Sequence, residues 1–208
     1  MDISQEFKLS NNPLLLYLHG FLSSPQSQKA QQTIKYCQQI GFGNFIQVPR
    51  LSGGPAETIA MVNSLLEPQD KRKLMFIGSS LGGFYATYLA EIYGAPAVLI
   101  NPAVRPFEHW DKHIGEHKSD YSDDINVVTR SHIDELRNLF IKELTKPDNI
   151  MALIQAGDEI LDYRLAVEKF KKEHCIVRVY GIHGYENYVA ELPMIFEFLL
   201  SSIGHFER

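Results

Sequence analysis

The 208-residue sequence predicts an α/β protein, a mainly parallel sheet of about six strands with helices on both faces. Three observations point there. Apolar runs such as those at 14–18, 74–77 and 97–100 are continuous rather than alternating, the pattern of strands buried on both faces. Stretches with helical apolar spacing separate them, so strand and helix alternate about six times. No internal repeat, low-complexity tract or linker divides the chain, whose length suits a single domain, 1–208.

The elements follow in order. A polar lead-in covers 1–12, and the run Leu14-Leu-Leu-Tyr-Leu18 ends at His19-Gly20-Phe21-Leu22-Ser23-Ser24-Pro25. Ser24 and Pro25 suit the cap and first position of a helix over 26–39, which would bury Ala30, Ile34 and Cys37 before Gly41 stops it. A short strand at 45–48 leads through a Gly- and Pro-rich loop to a helix over 56–66 with Ile59, Val62 and Leu66 on one face. The strand at 74–77 and the helix after it come next, then the strand at 97–100, which ends at Asn101-Pro102. The stretch 104–131 is rich in charge and histidine with little apolar period, which predicts a lid or irregular insertion. Beyond it the pattern predicts a helix over 132–144, a strand over 150–155, a helix over 163–172, a strand over 176–180 and a final helix over 191–203.

Composition narrows the function classes. Hydrophobic residues at 45% and charged ones at 22% are those of an ordinary globular protein, and a net charge of −5 offers no basic field to nucleic acid or anionic lipid. The N-terminus lacks the basic-then-apolar profile of a signal peptide, and no apolar run is long enough to span a membrane. Cys37 and Cys175 are far apart with no Cys-x-x-Cys, so a reduced, cytoplasmic protein is expected.

The chemistry centres on Gly78-Ser79-Ser80-Leu81-Gly82, a Gly-x-Ser-x-Gly between a strand and a helix. The pattern alone would arise by chance in about one chain in fifteen of this length. Its setting gives it meaning: a strained turn there lifts the Ser80 hydroxyl above the sheet, at a helix N-terminus whose free N–H groups favour negative charge. No Walker-type or Gly-x-Gly-x-x-Gly phosphate cradle is present. A serine needs a base, and the base an orienting group. Asp158 and His183 each follow a later strand, and the order Ser…Asp…His is that of the α/β-hydrolase fold. Glu159 and Asp162 are neighbouring acids, Asp162 better placed as a helix cap. For the oxyanion, the N–H groups of Leu81 and Phe21 are expected, with Leu22 as the neighbouring alternative and His19 as a loop anchor. Leu22, Ser79, Asn101 and Arg105 are candidate substrate contacts.

His109, His113 and His117 are four apart, which invites a metal reading. Gly115 interrupts any helix and no His-Glu-x-x-His occurs, so a solvated lid face is expected and no metal.

Four blocks, in order along nearly the whole chain, resemble the bacterial YqiA-type esterases, which are small α/β-hydrolases. They are Leu16-Tyr-Leu-His-Gly-Phe-Leu-Ser-Ser-Pro25, Ile77-Gly-Ser-Ser-Leu-Gly-Gly-Phe-Tyr-Ala-Thr87, Asn101-Pro-Ala-Val-Arg-Pro-Phe107 and Gly157-Asp-Glu-Ile-Leu-Asp-Tyr-Arg164. The resemblance implies a carboxylester and acyl-CoA thioester hydrolase with a serine triad, without metal or organic cofactor, its nucleophile at Ser80 and its acid at Asp158. The histidine segment departs from the family pattern, Gly-Gly-x-His with a longer turn: Gly181-Ile182-His183-Gly184-Tyr185 is shorter on both sides. The expected partner is a small acyl ester or thioester. The rival readings are the same triad acting on amide or carbon–carbon bonds, and a non-catalytic ligand-binding relative.

Overall fold

A computed structural model describes residues 12–204 apart from 52, 120, 122, 124 and 171–173. The lead-in before residue 12, the expected helix end at Lys172 and His205 lie outside the described residues. In chain order, β1 (Leu14–Leu18), α1 (Gln28–Gln39), β2 (Ile46–Gln47), α2 (Pro55–Leu66), β3 (Leu74–Ser79), α3 (Leu81–Tyr93) and β4 (Ala97–Ile100) alternate. After them come a hairpin, β5 (Gly115–Lys118) and β6 (Ile125–Val128), then α4 (Arg130–Asn138), β7 (Ile150–Gln155), α5 (Tyr163–Phe170), β8 (Cys175–Arg178) and α6 (Tyr188–Ser202).

The main sheet has six strands in the order β2-β1-β3-β4-β7-β8, and every neighbouring pair is parallel. Burial explains the continuous apolar runs: β1, β3, β4 and β7 are buried at every position. Successive residues face opposite sides. Leu14, Leu16 and Leu18 pack with Ile59, Val62, Leu89 and Leu136 on the α2–α5 side, while Leu15 and Tyr17 pack with Ala30, Cys37, Leu192 and Ile195 on the α1–α6 side. The chain runs from β1 outward to β2 and then back across to β3, so the order in which strands are added reverses between β1 and β3. A crevice opens beyond the carboxyl ends of two such strands.

Several boundaries differ from the sequence expectations. The first helix begins after Ser27 rather than Ser24, because Ser24 spends its hydroxyl on Gln26 N–H and its carbonyl on Ser27 N–H in a preceding turn. The fourth helix starts earlier than expected, where Thr129 and the His132 ring form a reciprocal capping box, and stops at Asn138, well short of 144. The expected irregular stretch 104–131 carries two short 3-10 turns, Pro106–Glu108 and Trp110–His113, and the β5–β6 hairpin. Arg178 and Glu191 join β8 to α6 through two parallel hydrogen bonds of 2.9 Å.

Candidate active site

Ser80 stands between β3 and α3 with φ 55° and ψ −121°, a left-handed conformation that a serine adopts only under constraint. The constraint is visible. Ser80 N–H donates to the Ile100 carbonyl at 3.0 Å, and its own carbonyl accepts from Ala103 N–H at 3.0 Å. The flanking glycines are steric necessities: a Cβ on Gly78 would stand 2.3 Å from the Gly82 carbonyl oxygen, and one on Gly82 would stand 2.0 Å from that of Leu18. Side chains there would force the helix away from the sheet, so the turn and the position of Ser80 are one feature.

His183 Nε2 lies 3.0 Å from Ser80 Oγ, and its Nδ1 lies 2.7 Å from Asp158 Oδ2. The other Asp158 oxygen accepts from the N–H groups of Ile160 and Leu161 at 2.9 and 2.8 Å. Burial by itself would raise the Asp158 carboxyl, but the His183 hydrogen bond and these backbone donors outweigh it and hold the group below its ordinary range. Asp158 is therefore an anion at neutral pH, buried to 2% exposure against the imidazole. With Asp158 as an acceptor, Nδ1 carries the proton and Nε2 is left free to accept from the serine.

The short histidine segment reaches Ser80 because two buried amides hold it. Asn101 Nδ2 donates to the Ile182 and His183 carbonyls at 3.0 and 3.1 Å, while its Oδ1 accepts from Gln155 N–H at 2.8 Å. Gln155 Oε1 accepts from Ile182 N–H and Glu186 N–H, and its Nε2 donates to the Glu186 carbonyl. Glu159 adds an acceptor for His183 N–H at 2.9 Å. The strand-end amides of Asn101 and Gln155 and the loop acid Glu159 together fix the backbone of the histidine segment.

The structure brings together Ser80, Asp158, His183, Phe21, Leu22 and Leu81. The N–H groups of Phe21 and Leu81 donate to no other group among the described residues, and Gly20 lies so close that a Cβ on it would be 3.7 Å from Ser80 Oγ. The three other substrate-contact candidates lie elsewhere. Ser79 is buried and bonded to Tyr17 on the α1–α6 side, Asn101 is spent on the histidine loop, and Arg105 pairs with Glu108 at 3.4 Å beside a separate cleft. Asp162 caps the following helix through Arg164 N–H. His19 is buried: Leu51 N–H donates to its Nε2, so its Nδ1 carries the proton and bonds the Gly20 carbonyl, while burial lowers its pKa. Of the three spaced histidines, His113 and His117 face inward rather than to solvent, stacked edge-on against Phe21 at 5.3 and 5.5 Å, with His117 on β5 rather than on a helix.

Sequence reasoning missed Gln155. The signal was present, a polar residue closing the apolar run Ile150–Gln155 just before Ala-Gly-Asp.

The model of the Uncharacterised protein family UPF0227 matches residues 14–200. The chain belongs to this family, the YqiA family. Solved structures share the architecture of this UPF0227 member. Alpha/beta hydrolase domain-containing protein 10 from mouse matches with TM-score 0.72 and 18% identity, covering 92% of this chain and 91% of that one. Est1E from Butyrivibrio proteoclasticus gives 0.61 at 14% identity, with 92% and 88% covered. A thioesterase domain from the curacin biosynthetic pathway gives 0.53 at 10% identity, with 89% and 92% covered. The UPF0227 chain thus has the α/β-hydrolase fold. Among its described residues no helix is long and apolar enough to cross a membrane.

Proposed function

We propose that this protein is a serine hydrolase that cleaves carboxylic esters or acyl-CoA thioesters through an acyl-enzyme. The observation that carries the reading is the unbroken hydrogen-bonded chain from Ser80 Oγ through the two nitrogens of His183 to the anionic Asp158. His183 Nε2 takes the hydroxyl proton as Oγ attacks the acyl carbonyl, and Asp158 stabilises the resulting imidazolium. The tetrahedral oxyanion is met by the N–H groups of Leu81 and Phe21, which have no partners among the described residues. As the intermediate collapses, His183 delivers the proton to the departing alcohol or thiol. Water then enters by the same route in reverse and releases the acid. No metal or organic cofactor takes part in this scheme. Two cysteines, neither in a disulfide, suit a cytoplasmic setting.

The test is labelling with an active-site fluorophosphonate. Wild type is expected to label; Ser80→Ala and His183→Ala abolish labelling, and kcat on a short ester falls by roughly 10⁴ or more in each. Labelling that survives His183→Ala would mean a different base. A folded wild type that neither labels nor turns over esters would point to ligand binding without catalysis. Turnover of amides in preference to esters would place the same triad on another bond.

A further inference from the structure

The recess that adjoins Ser80 is small. It has a volume of about 50 Å³, with Gly20, Phe21 and Leu81 at the serine end and Trp110, Asn126 and His132 among the residues around it. A space of roughly 10–15 Å³ by this measure holds one water-sized group, so about three to five heavy atoms fit. A larger cleft of about 680 Å³ runs beside Arg105, Phe140, Lys169 and Phe170; none of Ser80, Asp158 and His183 lines either space, but the small recess alone reaches the serine turn, through Gly20, Phe21 and Leu81.

Two features make the small recess polar. The indole Nε1 of Trp110 is the one buried side-chain nitrogen or oxygen without a hydrogen-bond partner among the described residues. Its ring is held by Phe21 and His113, with centroids at 4.9 and 5.2 Å, and by no hydrogen bond. Asn126 occupies β6, where burial alternates, so it shares its face with buried Val128, and Val127 is exposed. Its carboxamide has no hydrogen-bond partner among the described residues. Packing alone would be served by phenylalanine at 110, since an unpaired buried donor is costly, whereas Asn126 is half-buried and brings its carboxamide to the rim of the recess.

We infer that the recess selects a short oxygenated acyl group, about three to five heavy atoms beyond the carbonyl, whose hydroxyl or keto oxygen is met by Asn126 and Trp110. An oxygen can accept from both the carboxamide and the indole N–H, and a hydroxyl can also donate to the carboxamide oxygen. A site that presents polar partners discriminates against the analogue lacking the oxygen, because those partners then stay unpaired. This rests on the proposed role of Ser80 as nucleophile.

The experiment compares kcat/KM for butyryl, 3-hydroxybutyryl and octanoyl thioesters of one thiol. Wild type is expected to prefer 3-hydroxybutyryl over butyryl by about tenfold, the worth of one good hydrogen bond, and to process octanoyl slowest. Asn126→Leu brings the hydroxybutyryl-to-butyryl ratio to near one, and Trp110→Phe, which keeps a ring and removes the donor, lowers the ratio in the same direction. If Asn126→Leu does not fold, Asn126→Ala is read in its place. Hydroxybutyryl hydrolysed no faster than butyryl, octanoyl hydrolysed as fast as butyryl, or a ratio unchanged in both variants overturns the inference while ester chemistry stands. No turnover of any thioester together with no fluorophosphonate labelling removes the nucleophile, and the inference with it.

Discussion

Asn101 and Gln155 carry no charge and do not line the recess at Ser80, yet they decide where His183 stands. Each bridges strand end to histidine loop with both ends of its amide, so truncating either leaves buried partners unpaired. Asn101→Ala and Gln155→Ala are each expected to cost about 1–3 kcal/mol in urea unfolding. Both should lower kcat more than they change KM, because they loosen the imidazole and not the recess. Asp158 gives a pH signature. Its folded pKa lies below the ordinary 3.8, so the ionised carboxylate contributes stability that is complete above about pH 4 and fades as pH falls through the folded value. The stability gap between wild type and Asp158→Asn, measured by urea unfolding, is therefore expected to narrow as pH falls below about 4. At this scale the sequence was readable for residue type and place but not for partner. Asn101 stood out as a polar residue at a strand end, but its contacts at 182 and 183 are some eighty residues away along the chain, and no local pattern encodes them.

Among the elements, the β3–α3 junction was the most legible, because its glycines answer a close approach that any α/β turn of this shape imposes. Gly82→Ala should fail to give a folded protein, or lose more than about 4 kcal/mol, as judged by circular dichroism and thermal melting. Gly184→Ala is the matched control: its Cβ would meet only the Ile182 side chain at 3.5 Å, and the variant should fold and label normally beside the same imidazole. The β5–β6 hairpin was not legible. Its strands are only four residues each, half exposed, and Gly-Glu-His-Lys carries no apolar alternation, so local propensity gives no sign of the pairing, which instead seats His117 against Phe21. The early start of α4 escaped for a similar reason. A histidine at the third helical position closes its capping box where glutamate or glutamine is the usual signal.

For the whole molecule, two cores back to back on one sheet predict a single cooperative unfolding unit. Fluorescence and far-ultraviolet circular dichroism should trace coincident urea transitions. Cys37 provides an internal reporter: it is fully buried between α1 and the sheet, and burial pushes its thiol up to about 12. It is expected to resist iodoacetamide at pH 8 in the native protein and to become reactive along the same urea transition. Reactivity that appears well before the spectroscopic midpoint would mean that the α1–α6 layer opens on its own.

The twisted backbone at residue 80 has an evolutionary edge. A φ of 55° with ψ of −121° suits glycine and costs serine on the order of 1–3 kcal/mol. Ser80→Gly should therefore melt above wild type, while Ser80→Ala, which keeps a Cβ, should not. The lineage then carries a standing temptation: one codon change would improve the fold and, on the proposed mechanism, silence the chemistry. Wherever the proposed reaction is no longer needed, drift from serine to glycine at this position would run downhill.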